Sequence, residues 1–157
     1  SAGHGFSDIL WDDPNYETRP YDKFEAYGQS KTANVLFTVA LDARLADAGV
    51  RSNAVHPGMI MTDLARHMGE GDMEELGARA ADREAAGNGG GLPEFKTIEQ
   101  GAATSVLAAV APSLEGIGGR YLDNADFGEP ADYAVDVDSA ERLWSLSESL
   151  VGESFSG

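Results

Sequence analysis

Gly49-Val50-Arg51-Ser52-Asn53-Ala54-Val55-His56-Pro57-Gly58 is the stretch that decides the fold. Helical periodicity runs from about Phe24 to Ala48, and Gly49 is well placed to stop it. Val50 to Val55 then reads as a short strand that ends at His56-Pro57-Gly58. A helix joined by a tight glycine turn to a strand is half of a β-α-β unit, which favours a parallel α/β sheet. Within the helix, Tyr27, Ala33, Val35, Leu36, Val39, Ala40, Ala43 and Leu45 give apolar surface on more than one face.

Upstream, residues 1–22 read as loop, punctuated by Asp12-Asp13-Pro14-Asn15 and Arg19-Pro20. Downstream, Thr62-Asp63 are placed to cap a helix through roughly Ala86, interrupted by Gly69 and Gly71. Residues 87–93, Gly87 to Pro93, form a flexible connector. Thr97 and Gln100 then make a capping box for a helix that ends before Ala111-Pro112. Gly119 to Asp123 is a second short strand. Asp138-Ser139-Ala140-Glu141 opens a last helix to about Val151, with Leu143, Leu146 and Leu150 on one side. Two strands make no stable parallel sheet alone, because their other edges stay unpaired. The pattern therefore predicts that partner strands come from elsewhere.

At 157 residues and 42% hydrophobic content, the chain suits one domain or part of one. Its 11 Lys plus Arg face 27 Asp plus Glu, a formal charge of -16, which argues against nucleic acid as a partner. That charge is compatible with a soluble protein and a salt-rich habitat. No apolar run approaches the roughly 18 residues of a membrane span. Ser1-Ala2-Gly3-His4-Gly5 has neither the basic start nor the apolar middle of a signal peptide. Cysteine is absent, so disulfides and thiol chemistry are excluded and a cytoplasmic location is the expectation.

Tyr27 and Lys31, four residues apart, share one face of the helix about one turn apart. A phenol ionises near pH ~10 and is a poor base at neutrality, but an ammonium one turn away favours the ionised form. Such a pair is a candidate for proton transfer to or from a carbonyl or alcohol oxygen. His4, His56 and His67 show no metal-ligand spacing and read as structural or surface residues, so no metal site is predicted. Asp132, Asp136 and Asp138 lack the glycine and terminal glutamate of a calcium loop and read as a solvated acidic turn. Met59, Met61, Met68 and Met73 suit either an apolar substrate pocket or core filling.

Taken together, Ala26-Tyr27-Gly28-Gln29-Ser30-Lys31-Thr32-Ala33-Asn34, Gly49-Val50, Asn53-Ala54-Val55-His56-Pro57-Gly58 and Thr62-Asp63-Leu64 resemble the short-chain dehydrogenase/reductase family. The closer likeness is to its retinol-dehydrogenase-like and WW-domain-oxidoreductase-like members. The resemblance runs from residue 1 to about residue 124. It implies NAD(P)-dependent hydride transfer between a nicotinamide cofactor, NAD or NADP, and an alcohol/carbonyl substrate of apolar character. Tyr27 would be the acid/base, and Lys31 its electrostatic partner and ribose contact. Pro57, Gly58, Ile60 and Thr62 would line the nicotinamide. Ser1-Ala2-Gly3-His4 resembles the second half of a Ser-Ser-x-x-His pattern, which assigns to Ser1 the catalytic serine that hydrogen-bonds the reacting oxygen. That role demands a rigidly held hydroxyl.

The family's glycine-rich phosphate turn has no counterpart here. Gly87 to Gly91 follows a helix, and Gly116-Ile117-Gly118-Gly119 precedes a strand, the wrong order. The expected fold class is thus α/β, the C-terminal half of a Rossmann-like doubly wound parallel sheet with flanking helices. Residues 1–157 form a single partial domain that lacks the N-terminal dinucleotide-binding half, and alone they are expected to be inactive. The resemblance also implies a homodimer or tetramer built on the Phe24 to Ala48 helix. Two alternatives remain open: a non-catalytic assembly domain, and an epimerase or dehydratase of the related extended group.

Overall fold

The computed structural model describes residues 1–60, 69, 71–85 and 95–155. Among them, four α-helices accompany five short strands. In chain order these are α1 (Lys23–Leu45), β1 (Asn53–His56), β2 (Met59–Ile60), α2 (Asp72–Ala85) and β3 (Phe95–Lys96). There follow α3 (Ile98–Val110), β4 (Arg120–Asp123), β5 (Asp126–Phe127) and α4 (Val137–Val151). β1 pairs with β4 in parallel, Asn53 opposite Arg120 and His56 opposite Asp123. β5 returns antiparallel along β4, and β2 and β3 form a separate parallel pair.

Local chemistry sets the helix ends. Asp22 caps α1 by accepting from the Phe24 and Glu25 N–H groups. α1 tightens into a 3-10 turn over Ala46–Ala48, and Gly49 at φ +76° terminates it in the left-handed region. Thr97 and Gln100 cap α3 reciprocally, as their spacing predicts. Asp136 caps α4 by accepting from the Ser139 N–H, so one aspartate of the acidic turn has a structural task.

The two apolar faces of α1 are both covered within the chain. Val35 packs with Ala54 of β1, Tyr121 of β4 and Ala134. Leu36 and Ala40 pack with Ile9 and with Ala140 and Leu143 of α4. Leu36 is fully buried, and truncating such a side chain to alanine costs about 2–5 kcal/mol. Because side chains alternate along a strand, Ala54 and Tyr121 face α1 while Leu122, also fully buried, faces the opposite side, where α3 lies. Helices on both faces of a parallel pair make this a partial Rossmann-like sheet.

Asp42 fastens the lower end of α1 to the sheet. Its carboxylate accepts from Arg51 Nε at 2.9 Å and Nη2 at 2.5 Å, and from the Ser52 N–H at 2.9 Å. Gly118 lies directly against this fork, since a Cβ there would stand 2.7 Å from Arg51 Nε.

Two expectations need correction. Residues 1–22 contain a 3-10 turn over Ala2–Phe6, which local capping by Ser1 creates without any apolar periodicity. The strands number five rather than two among the described residues, because β2, β3 and β5 are two residues each, too short to show alternation. The described part of the helix expected from Thr62 begins at Asp72, after Gly71 at φ +85°. Thr62-Asp63 and the Gly87 to Pro93 connector lie outside the described residues.

Candidate active site

The site forms where the 3-10 turn, the first turns of α1 and the C-terminal end of β1 meet. Gly28 explains why a glycine interrupts the helix beside Tyr27. A Cβ there would meet the Ser7 backbone nitrogen at 2.7 Å and Phe6 Cβ at 2.8 Å, so only glycine lets residues 1–7 lie flat on α1. Gly3 makes the matching approach from the other side, because a Cβ at Gly3 would sit 3.0 Å from Tyr27 Cδ1 and nearer still to Cε1. The buried Thr32 hydroxyl, one residue after Lys31, binds the carbonyls of His4 at 3.0 Å and Ser7 at 2.7 Å.

That packing brings three of the candidate residues together. Ser1 Oγ lies 3.3 Å from Tyr27 Oη, and either hydroxyl can donate. Lys31 Nζ stands 5.1 Å from the centroid of the Tyr27 ring. Ser1 Oγ also accepts the Gly3 N–H at 3.1 Å, which leaves its own proton free to be given. The Ser1 backbone nitrogen donates to the Val55 carbonyl at 3.3 Å and so ties the serine to β1. Tyr27 is 41% exposed, so its hydroxyl is reachable from solvent.

Pro57 and Gly58 form the turn directly after β1, with Gly58 at φ +95°. The Lys96 stem crosses this turn: a Cβ at Gly58 would meet Lys96 Cδ, Cε and Nζ at 2.6–2.8 Å. Lys96 Nζ also donates to Asn124 Oδ1 at 2.5 Å. Ile60 follows in β2, its side chain packed against Gly101 of α3. Thr62 lies outside the described residues. His56 closes β1 beside Asp123 in register. Burial holds its pKa below the ordinary imidazole value, and nearby Asp123 opposes that shift only in part.

Residue chemistry points to Tyr27, Lys31, Ser1 and the Pro57-Gly58 turn. It gives no site role to Gly3, Thr32 or His4, which hold that arrangement. A glycine inside the apolar helix at Gly28 is the one local sign of a close approach.

Ligand-bearing sheets of this kind bind beyond the carboxyl ends of their parallel strands, which is where this cluster sits. The exposed Tyr27 hydroxyl and the glycine-lined turn after β1 fit the reacting end of a flat ring such as nicotinamide. Among the described residues, no glycine-rich strand-to-helix turn suits the phosphates.

Comparison with known proteins gives a consistent picture. Residues 15–72 match the family model described as short chain dehydrogenase, a span that includes Tyr27, Lys31, Pro57, Gly58, Ile60 and Thr62 but not Ser1. The chain is 43% identical over 155 residues to a Streptomyces lividans protein named "Probable oxidoreductase", covering 92% of this chain and 50% of that one. It is 38% identical to human "Retinol dehydrogenase 13", covering 97% of this chain and 44% of the relative. A solved structure of an uncharacterized Mycobacterium paratuberculosis protein superposes with a TM-score of 0.54 at 29% identity, over 99% of this chain and 49% of that one. The chain spans about half the length of the curated relatives it matches.

Proposed function

The chain belongs to the short-chain dehydrogenase/reductase family, with a retinol-dehydrogenase-like cast, and on that premise we propose that its Ser1–Tyr27–Lys31 cluster interconverts an alcohol and a carbonyl. The observation that carries this reading is the 3.3 Å separation of the Ser1 and Tyr27 hydroxyls, with the Lys31 ammonium over the same ring. Two hydroxyls at that distance can both hydrogen-bond one substrate oxygen.

Tyr27 Oη takes the alcohol proton in oxidation and returns it in reduction. Ser1 Oγ donates to the same oxygen and holds it against Tyr27. The positive charge on Lys31 stabilises negative charge on the phenol oxygen while the proton is away, and its reach suits a ribose hydroxyl. Pro57, Gly58 and Ile60 would hold the nicotinamide face, with Thr62 given that role by the family resemblance alone. A bound nicotinamide cofactor, NAD or NADP, supplies the hydride chemistry at the carbon beside that oxygen. The phosphate-holding part of the cofactor site is supplied from outside residues 1–157, which alone form a partial domain without turnover. The substrate is an apolar small-molecule alcohol or carbonyl compound, and the working protein is a homodimer or tetramer.

Tyr27→Phe in the full-length native protein tests the assignment. Turnover should fall about 1,000-fold or more while cofactor affinity, read by fluorescence titration, stays within about 2-fold. Retained turnover removes Tyr27 from the acid/base role.

A further inference from the structure

His4 is 6% exposed, and both of its ring nitrogens are committed. The Ala131 N–H donates to Nε2 at 3.1 Å, so Nε2 carries no proton. The proton therefore resides on Nδ1, which lies 2.7 Å from the Ser1 carbonyl and donates to it. The ring is thus a neutral bridge with a fixed tautomer, one end on Ser1 and the other on the segment that leads into α4. Its edge rests on Tyr121 of β4, with ring centroids 5.0 Å apart. Its backbone is held as firmly, because the His4 carbonyl accepts from Thr32 Oγ1 at 3.0 Å and from Tyr133 Oη at 2.8 Å. Among the described residues, Ser1 is otherwise held by the Gly3 N–H, the Val55 carbonyl and the Tyr27 hydroxyl.

We infer that His4 is a positioning residue for Ser1: its Nδ1–H holds the Ser1 carbonyl, and with it the Oγ that faces Tyr27, in register with the C-terminal segment at Ala131. The serine lies at the open end of a short 3-10 turn, where the Gly3 N–H caps its side chain and the His4 backbone N–H reaches its carbonyl at a long 3.3 Å. The imidazole adds a second and shorter bond to that carbonyl, at 2.7 Å, and ties it to a distant part of the chain. It also makes the placement of a hydroxyl at the active site depend on residues about 130 positions away in the chain. This inference rests on the proposed role of Ser1.

The test separates the two ends of the bridge. In the full-length native protein, His4→Asn keeps a donor near the Nδ1 position and loses the acceptor for Ala131. His4→Gln keeps an acceptor near Nε2 and loses the side-chain donor to Ser1, leaving only the backbone N–H on that carbonyl. Each variant deletes one hydrogen bond, so their Tm values should fall alike. If His4 positions Ser1, His4→Gln loses about 10-fold or more in kcat with KM within about 2-fold, while His4→Asn stays within about 3-fold of wild type. Equal kcat losses, or losses that track Tm, overturn the inference. Ser1→Ala and the Ser1→Ala/His4→Gln double variant complete the cycle. A double variant no slower than Ser1→Ala supports action through Ser1, and additive losses refute it. Full activity in Ser1→Ala instead removes the role of Ser1 itself, and the positioning role falls with it.

Discussion

Gly3→Ala is the sharpest perturbation of the site, because it adds one methyl group and leaves every side chain proposed to react chemically unchanged. The new Cβ would lie 3.0 Å from Tyr27 Cδ1, closer to Cε1, and 3.3 Å from Lys31 Cγ. Ordinary contact begins at 3.4 Å, so the ring must retreat by roughly half an ångström at Cδ1 and more at Cε1. The turn itself cannot retreat, since Thr32 pins the His4 and Ser7 carbonyls and Gly28 already brings residues 6 and 7 against the helix. Tyr27, 41% exposed, yields instead. Misplacing a catalytic group by about 1 Å costs about 100-fold, so kcat should fall roughly 10- to 100-fold. Because the ring swings toward solvent without opening a cavity, Tm should change by less than about 3 °C. Steady-state kinetics and thermal unfolding of the full-length native protein measure the two quantities side by side. Turnover within about 3-fold of wild type refutes the claim that the Ser1–Tyr27 distance matters. A collapse of Tm refutes the claim that the ring is the part that moves.

Asp42→Asn removes the charge from the Arg51 fork and should lower Tm by roughly 5 °C. Arg51 holds the Asp42 pKa below the ordinary carboxylate value of ~3.9, so its stabilisation is complete above that pH and lost as pH falls through the lower folded value. The Asp42→Asn variant should therefore show a flatter acid limb of the stability curve, and an unchanged limb rules the fork out as its source. His56, depressed mainly by burial, should titrate below the ordinary imidazole value of ~6.5 in an NMR pH series. Its folded-state preference for the neutral form costs stability as pH drops from that value to the folded pKa, and a midpoint at or above ~6.5 contradicts the burial. Gly58→Ala must adopt φ +95° and displace the Lys96 stem, with about 1–2 kcal/mol of strain from the backbone alone. Adding Lys96→Ala should recover the steric part of the Tm loss and leave the backbone part, whereas full recovery would show that φ is not limiting.

Legibility in the sequence followed the range of the interaction. The capping box at Thr97 and Gln100, the stop at Gly49 and the strand before Pro57 are written in three or four neighbouring residues, and each reads directly. Tyr27 and Lys31 were legible for the same reason, since a four-residue spacing on a helix fixes a shared face whatever else the chain does. The two apolar faces of α1 were equally plain, but their spacing alone cannot say what covers them. In the structure both covers, the β1/β4 pair and α4, come from within the chain.

The determinants that spacing could not reveal are the ones that turn nearby residues into a site. Ser1 and Tyr27 are 26 positions apart, and their hydroxyls meet only because glycines at positions 3 and 28 let a turn and a helix approach closely. A glycine's contribution is the absence of a side chain, so it carries no chemistry to find until both surfaces are known. His4 is harder still, because the Ser-x-x-His spacing marks the residue without saying that its imidazole bridges 127 positions to Ala131 rather than merely filling space. What separates the two is the commitment of both nitrogens, a fact about partners rather than about the residue. The groups proposed to react are therefore easier to read than the groups that aim them, and mutations that leave every proposed reacting side chain intact should still lower turnover about 10-fold or more.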